Sequence, residues 1–177
     1  MQNNFRELTV AVISSFAYDE PLVEILQASA DLPTVQFYIT GDKSKLNGHV
    51  LKCNPENVIF TGFLDSNSYV SLLQSVDVIM VLTKRDRTML AGAYEALSIK
   101  KPLITSNWSP LKRYFNKGTI FVDNSPSEIK LAIIRAQKYY RELLEEICQL
   151  KVEKLNEWKE TFLRFESILM QARLKTA

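Results

Sequence analysis

Residues 76–82 read VDVIMVL, and the chain runs on through TKRDRTMLAG and GAYEALSIK to KPLITS at 101–106. The first run is apolar almost without interruption. A strand exposed on one face would alternate polar and apolar residues, so this one is expected to be a central parallel strand covered on both faces. GAYEALSIK predicts a helix and KPLITS a second strand. A strand, a helix and a strand in succession form one turn of an α/β fold.

The same alternation extends in both directions. LTVAVIS (8–14) is β-branched and dense enough for a buried strand. It is followed by Asp19-Glu20-Pro21, an acidic first turn with a proline suited to a helix start, and then by LVEILQASA. VQFYIT (35–40), closed by Gly41-Asp42, and NVIFTG (57–62) predict two more strands. DSNSYVSLLQSV (65–76) predicts a helix capped by Asp65. Beyond residue 106, SPLKRYF (109–115) predicts a short helix, Lys117-Gly118 a turn, and TIFVD (119–123) an edge strand. The fold class is therefore α/β, a doubly wound parallel sheet of about six strands.

From Ser125 the pattern changes to helix alone. Ser125-Pro126-Ser127-Glu128 has the composition of a capped start, and Ile129, Ala132, Ile133, Ala136, Tyr140, Leu143, Leu144 and Ile147 repeat at helical spacing. Val152, Leu155, Trp158, Phe162, Phe165 and Leu169 then share one helical face. Residues 1–124 are read as a Rossmann-like core and 125–177 as a C-terminal helical segment packed on the same domain. The final stripe is read as a core-packing or interdomain helix; a membrane-surface helix is the alternative, but the polar face carries acids as well as bases.

Composition narrows the chemistry. The chain has 177 residues, 46% hydrophobic and 24% charged, with a net charge of +2. That balance argues against nucleic acid as a partner, since such domains carry a strong basic excess. Two cysteines, Cys53 and Cys148, and one histidine, His49, exclude a disulfide scaffold and supply too few soft ligands for zinc. A nucleophilic triad would have to use His49, which lies in the polar stretch KSKLNGHVLKCN and reads as a loop residue. The N-terminus MQNNFREL lacks a signal-peptide core, and no segment reaches the ~18 apolar residues of a membrane span. A cytoplasmic setting is expected.

Ligands of open parallel sheets bind at the carboxyl ends of the strands, where strand order reverses. The loops there read SSFAYDE, TGDKS, TGFLDSN, TKRDRTMLAG, TSNWSP and DNSPSE. Only the fourth is strongly basic, and it runs into a helix whose free N–H groups favour an anion. Arg85 and Arg87 are suited to bidentate phosphate contacts. The competing reading is a solvated turn partly neutralised by Asp86. Neither GxGxxG nor GxxxxGK[ST] is present, so the dinucleotide and P-loop signatures are absent. Glu95 lies about two turns into the helix among Ala91, Gly92, Ala93 and Ala96. A carboxylate there is placed to accept ribose hydroxyls, as acids do in dinucleotide folds, or is an ordinary surface glutamate.

These residues resemble the C-terminal, nucleotide-sugar-binding half of a GT-B glycosyltransferase of the group 1 (family 4) type. The resemblance rests on Thr61-Gly62 at a strand end, Leu72-Leu73 spaced to Asp77-Val78, Glu95 as the second acid of an E-x7-E motif, and Lys101-Pro102-Leu103-Ile104. It covers roughly residues 8–135 and is densest over 57–106. It implies that Glu95 holds the donor ribose. Backbone amides of Arg87, Thr88, Met89, Leu90, Ala91 and Gly92, with Arg85 and Asp86 beside them, would hold the diphosphate. Gly62 and Phe63 would touch the base, with Gly41 in the same donor-binding set. Arg85 and Arg87 would act catalytically on the leaving diphosphate, with no metal and no cofactor beyond a UDP-, GDP- or ADP-sugar donor.

Two departures from the motif stand out. The first acid of E-x7-E falls on Arg87, and the first loop, SSFAYDEP, lacks the usual Arg and Lys. The expectation is that the diphosphate-binding charge has migrated into Lys84-Arg85-Asp86-Arg87. Since a GT-B enzyme has two doubly wound halves, the chain is expected to need an acceptor-binding N-terminal GT-B domain, in the same protein or a partner chain, and to be inactive alone. The implied reaction is sugar transfer to a glycan or lipid-linked acceptor in polysaccharide biosynthesis. Peripheral membrane association of the complete enzyme, at the inner face, would be compatible with it. A non-catalytic nucleotide-sensing or assembly module is the rival. A flavodoxin-like signalling domain is disfavoured by Ser14-Ser15 where an acidic cluster would stand.

Overall fold

The computed structural model describes residues 8–46, 48 and 54–175. His49 and Cys53, and the loop reading given to that histidine, lie outside the described residues. Six parallel strands form one sheet: β1 (Thr9–Val12), β2 (Gln36–Thr40), β3 (Val58–Gly62), β4 (Val78–Val81), β5 (Leu103–Ser106) and β6 (Thr119–Val122). Their order is β3-β2-β1-β4-β5-β6, doubly wound as expected, with β6 at an edge. Helices α1 (Leu22–Ala30), α2 (Ser66–Ser75), α3 (Ala91–Ser98), α4 (Ser109–Tyr114), α5 (Pro126–Lys138) and α6 (Tyr140–Lys175) cover it.

The apolar run that suggested a central strand behaves as one. All four residues of β4 are buried, flanked by β1 and β5. Its side chains alternate between two cores. Val78, Met80 and Leu82 join Val10, Val12, Phe37 and Ile39 on one face. Ile79 and Val81 join Ala11, Ala93, Ala96, Leu103 and Leu111 on the other. Helix starts follow local chemistry. Asp65 caps α2 by accepting from the amides of Asn67 and Ser68, and Ser125 caps α5 by accepting from Glu128 N. Pro21 starts α1, but no side chain caps that helix. Glu20, read as part of its first turn, is engaged elsewhere.

The C-terminal helical segment is two helices, with the break at Tyr139, inside the run of helical spacing from Ile129 to Ile147. The break has a packing cause. Ile129, Ala132, Ile133 and Ala136 of α5 belong to the first core, with α1 against them. Ile147 and Leu150 of α6 belong to the second, with α3 against them. Leu143, near the start of α6, still belongs to the first core, so the turn at Tyr139 redirects the chain and α6 crosses the β6 edge from one face to the other.

Packing on the domain stops soon after. Leu150 is fully buried, whereas Val152, Trp158, Phe162, Phe165 and Leu169 are exposed. Beyond residue 150 the core-packing half of the expectation does not apply, because the helix has run past the last covering element among the described residues; the exposed face is the one an interdomain helix would present. Lys154, whose ammonium lies 4.8 Å over the Tyr114 ring, marks that limit, and Trp158 stacks on Phe162 at 5.3 Å instead. Leu150→Ala is accordingly expected to cost about 2–4 kcal/mol by cavity formation. Trp158→Ala should cost under about 0.5 kcal/mol. Paired urea titrations check the contrast.

Candidate functional site at the carboxyl ends of the strands

Strand order reverses between β1 and β4, and a cleft of about 290 Å3 opens beside that point. Ile13 and Ser14 line it after β1, Thr40 and Gly41 from β2, Gly62 and Phe63 from β3, and Tyr69 from α2. The β2–β3 register shifts between Ile39 and Thr40, and both bordering glycines have positive φ, 129° at Gly41 and 80° at Gly62. Gly41 also meets a steric demand. A Cβ there would lie 2.7 Å from the Phe16 ring and 2.8 Å from Ser14 O, so only glycine lets the first loop close over β2. Phe63 is 87% exposed, an aromatic face open to solvent. A larger hollow of about 600 Å3 runs along the outer side of α2 and gathers no charged side chains.

Glu95 reaches the cleft through Tyr69, whose hydroxyl donates to Glu95 Oε2 at 2.5 Å. The contact joins α2 to α3, the helices that follow β3 and β4. Burial, and then the hydrogen bond and charge of Glu95, push the Tyr69 phenol well above its ordinary range. The folded state therefore prefers the neutral phenol. This contribution is complete below the unfolded value near ~10 and is lost as pH rises toward the folded one. Wild-type stability should fall more steeply than that of Tyr69→Phe above pH ~10. Parallel curves in thermal unfolding against pH would refute the coupling.

The helix that carries Glu95 begins without a side-chain cap at Leu90, which leaves its first amides open to an anion. Its small residues serve packing. Ala93 and Ala96 are fully buried, and a Cβ on Gly92 would meet Val81 Cγ2 at 2.6 Å and Ile13 Cδ1 at 2.8 Å. Because Ile13 also lines the cleft, the α3 N-terminus stands one side chain away from it. Leu90 packs against the second core. Met89 points elsewhere, into a hollow of about 340 Å3 with Pro110, Arg113, Tyr114 and Lys154.

The basic loop is latched to the first loop. Arg85 Nε lies 3.3 Å from Asp19 Oδ2, and its guanidinium donates to the Tyr18 hydroxyl and lies 5.0 Å over that ring. Lys84 Nζ pairs with Glu24 at 2.8 Å, and Lys84 N donates to Asp19 O at 2.6 Å. Neutralisation thus comes from Asp19 and Glu24, while Asp86 takes the Arg87 amide at 2.7 Å and Thr88 Oγ1 reaches Asp86 O at 3.5 Å. Arg87 is exposed with φ 59°. Among the described residues, no acid takes its guanidinium.

Beneath the loop lies a buried polar hub. Thr83 N donates to Ser106 Oγ at 2.8 Å, Ser106 Oγ to Asn124 Oδ1 at 2.8 Å, and Asn124 Nδ2 to Thr83 O at 3.0 Å. Thr83 Oγ1 donates to Asp19 at 2.9 Å and accepts from Arg85 N at 3.1 Å. The hub ties the ends of β4, β5 and β6 to the first loop. Sequence reading missed Tyr69, Glu20 and this network. The signal was partial: SSFAYDE carries acids and TKRDR bases, but only the strand order, with β1 beside β4, brings the two loops together. Among the described residues, no group of three or more His, Cys, Asp or Glu is placed to hold a metal ion.

With the site in place, comparison with known proteins is informative. The family model described as glycosyl transferases group 1 matches residues 2–149. A glycosyltransferase from Rickettsia africae ESF-5 is similar at TM-score 0.72 and 14% identity, over 92% of this chain and 48% of that one. The Anabaena protein Alr3699/HepE in complex with UDP-glucose is similar at TM-score 0.68 and 15% identity, over 92% and 49%. A sucrose-phosphate synthase from Thermosynechococcus elongatus is similar at TM-score 0.65 and 19% identity, over 89% and 46%. At these identities the likeness is one of fold, and the six-stranded sheet matches one half of a GT-B fold. The chain spans about half the length of these structures. No curated protein sequence matches it.

Proposed function

The chain belongs to the group 1 glycosyl transferases, and from that premise we propose that it is the donor-binding half of such an enzyme, holding a UDP-, GDP- or ADP-sugar. The observation that carries this reading is the Tyr69–Glu95 pair, set beside a glycine-bordered cleft where strand order reverses. The base lies against Gly41, Gly62 and Phe63, and the ribose hydroxyls reach Glu95. The diphosphate meets the amides of the 87–92 segment, open from Thr88 onward while Asp86 takes that of Arg87, and the positive end of α3.

Catalysis in this half is electrostatic. Arg87 and Arg85, with the α3 dipole, take up the charge that develops on the leaving diphosphate, a role that requires no proton transfer from these residues. Arg85 is pre-oriented by Asp19 and Tyr18, while Arg87 is free to move onto the donor. An acceptor-binding half, in the same protein or a partner chain, completes the enzyme, and sugar passes to a glycan or lipid-linked acceptor in polysaccharide biosynthesis. The setting is cytoplasmic, with the complete enzyme at the inner face of the membrane. No helix among the described residues is long and apolar enough to cross a membrane.

A second reading, a nucleotide-binding module without transfer activity, draws on the first loop, where Asp19 and Glu20 stand in place of cations. Thermal unfolding with each donor class tests the binding that both readings require. A donor at 100 times its dissociation constant should add about 2.7 kcal/mol. The absence of a shift with all three classes at millimolar concentration would overturn both.

A further inference from the structure

The loop after β1 already holds an anion of its own. Glu20 accepts from Ser15 N at 3.1 Å, from Ser15 Oγ at 2.8 Å, from Phe16 N at 3.0 Å and from Ser14 Oγ. Phe16 sits at φ 57°, a left-handed turn that aims successive N–H groups into one concavity, the geometry of an anion nest. Its ring is held edge-on against Phe60 at 5.9 Å, so the turn has an anchor in the core besides Glu20. Ser14, which donates to the carboxylate, also lines the cleft.

We propose that Glu20 is an internal plug: its carboxylate fills the β1-loop nest, and a diphosphate enters that nest only when the side chain swings out. Only the side chain needs to move. Glu20 N donates to Ala17 O and Glu20 O accepts from Leu22 N, each at 3.0 Å, so the backbone stays fixed while the side chain rotates. Glu20 has no capping duty in α1 to hold it back. Lys45 Nζ donates to Ser15 O at 3.3 Å and sets a cation beside the nest backbone. The consequence rests on the donor-binding reading: with the plug in, the diphosphate is held from the α3 side alone, and Glu20 sets the affinity.

The test uses inorganic pyrophosphate and the backbone amide spectrum of the full chain, so it does not depend on nucleotide-sugar binding. In Glu20→Ala the Ser15 and Phe16 amides should shift and saturate at pyrophosphate concentrations about tenfold lower than in wild type. Glu20→Gln, which keeps the shape and loses the charge, should fall between them at about threefold. Amides that stay still in Glu20→Ala, or respond as in wild type, overturn the proposal. If the alanine variant loses its native spectrum, Glu20→Gln decides by the same criterion. Capture of pyrophosphate by a chain that no nucleotide-sugar stabilises would support the plug and count against the donor reading. Donor binding unchanged by either variant would do the reverse.

Discussion

Glu95→Ala is expected to weaken nucleoside-diphosphate binding about 100-fold. Two ribose hydroxyls on one carboxylate make two charge-assisted hydrogen bonds, each worth about 1.5 kcal/mol at the lower end suited to a half-exposed site. Together they amount to about 3 kcal/mol, or roughly two decades in affinity. Glu95→Gln keeps one good acceptor and should lose less. Tyr69→Phe keeps the carboxylate but frees it from the phenol that orients it, so a smaller loss of about tenfold is expected. Calorimetric titration with UDP, GDP and ADP ranks the variants. If wild type binds a nucleotide and Glu95→Ala binds it equally well, Glu95 is the surface glutamate of the competing reading.

Gly118→Ala should be the most damaging single methyl in the fold, at about 2–4 kcal/mol. The residue turns into β6 at φ 63°, and an added Cβ would lie 2.5 Å from Ile147 N and Cβ and 2.7 Å from its Cα. Two of those atoms belong to the backbone of α6, which cannot rotate aside. Alanine at positive φ costs upwards of about 0.5–1 kcal/mol, and forced overpacking adds about 1–3 kcal/mol. The close approach exists because α6 crosses the sheet edge here, with Gly118 N donating to Glu146 Oε2 at 2.9 Å. Gly48→Ala, with nothing within 4 Å of the new Cβ, is the matched control and should be nearly silent. A Gly118→Ala midpoint in urea equal to that of Gly48→Ala would refute the crossing geometry.

The site was only partly legible in the sequence. Charge density and position after the most apolar strand singled out Lys84–Arg87, and the small-residue helix singled out Glu95. Their partners belong to other loops and other helices. Asp19 and Glu24 meet the basic loop only because β1 and β4 are neighbours in the sheet, an adjacency separated by most of the chain's first half. Tyr69 meets Glu95 across two helices for the same reason. The Met89 side chain faces α4 and α6, because a helix entry turns successive side chains away from one another, and only its backbone amide is left to the proposed site.

The sequence by itself determined the strands, the helix starts at Asp65 and Ser125, the doubly wound class and the family. Those features rest on short-range periodicity and capping, which every residue carries locally. Tertiary structure alone decided three things. It placed the break between the C-terminal helices at Tyr139, since α5 stays on one face of the sheet while α6 crosses its edge to the other. It left the apolar stripe from Val152 onward uncovered, since periodicity specifies a face but not what covers it. It also turned Glu20 away from its helix into the first-loop nest, because hydrogen-bond donors converging from Ser14, Ser15 and Phe16 outcompete the dipole of an uncapped helix turn.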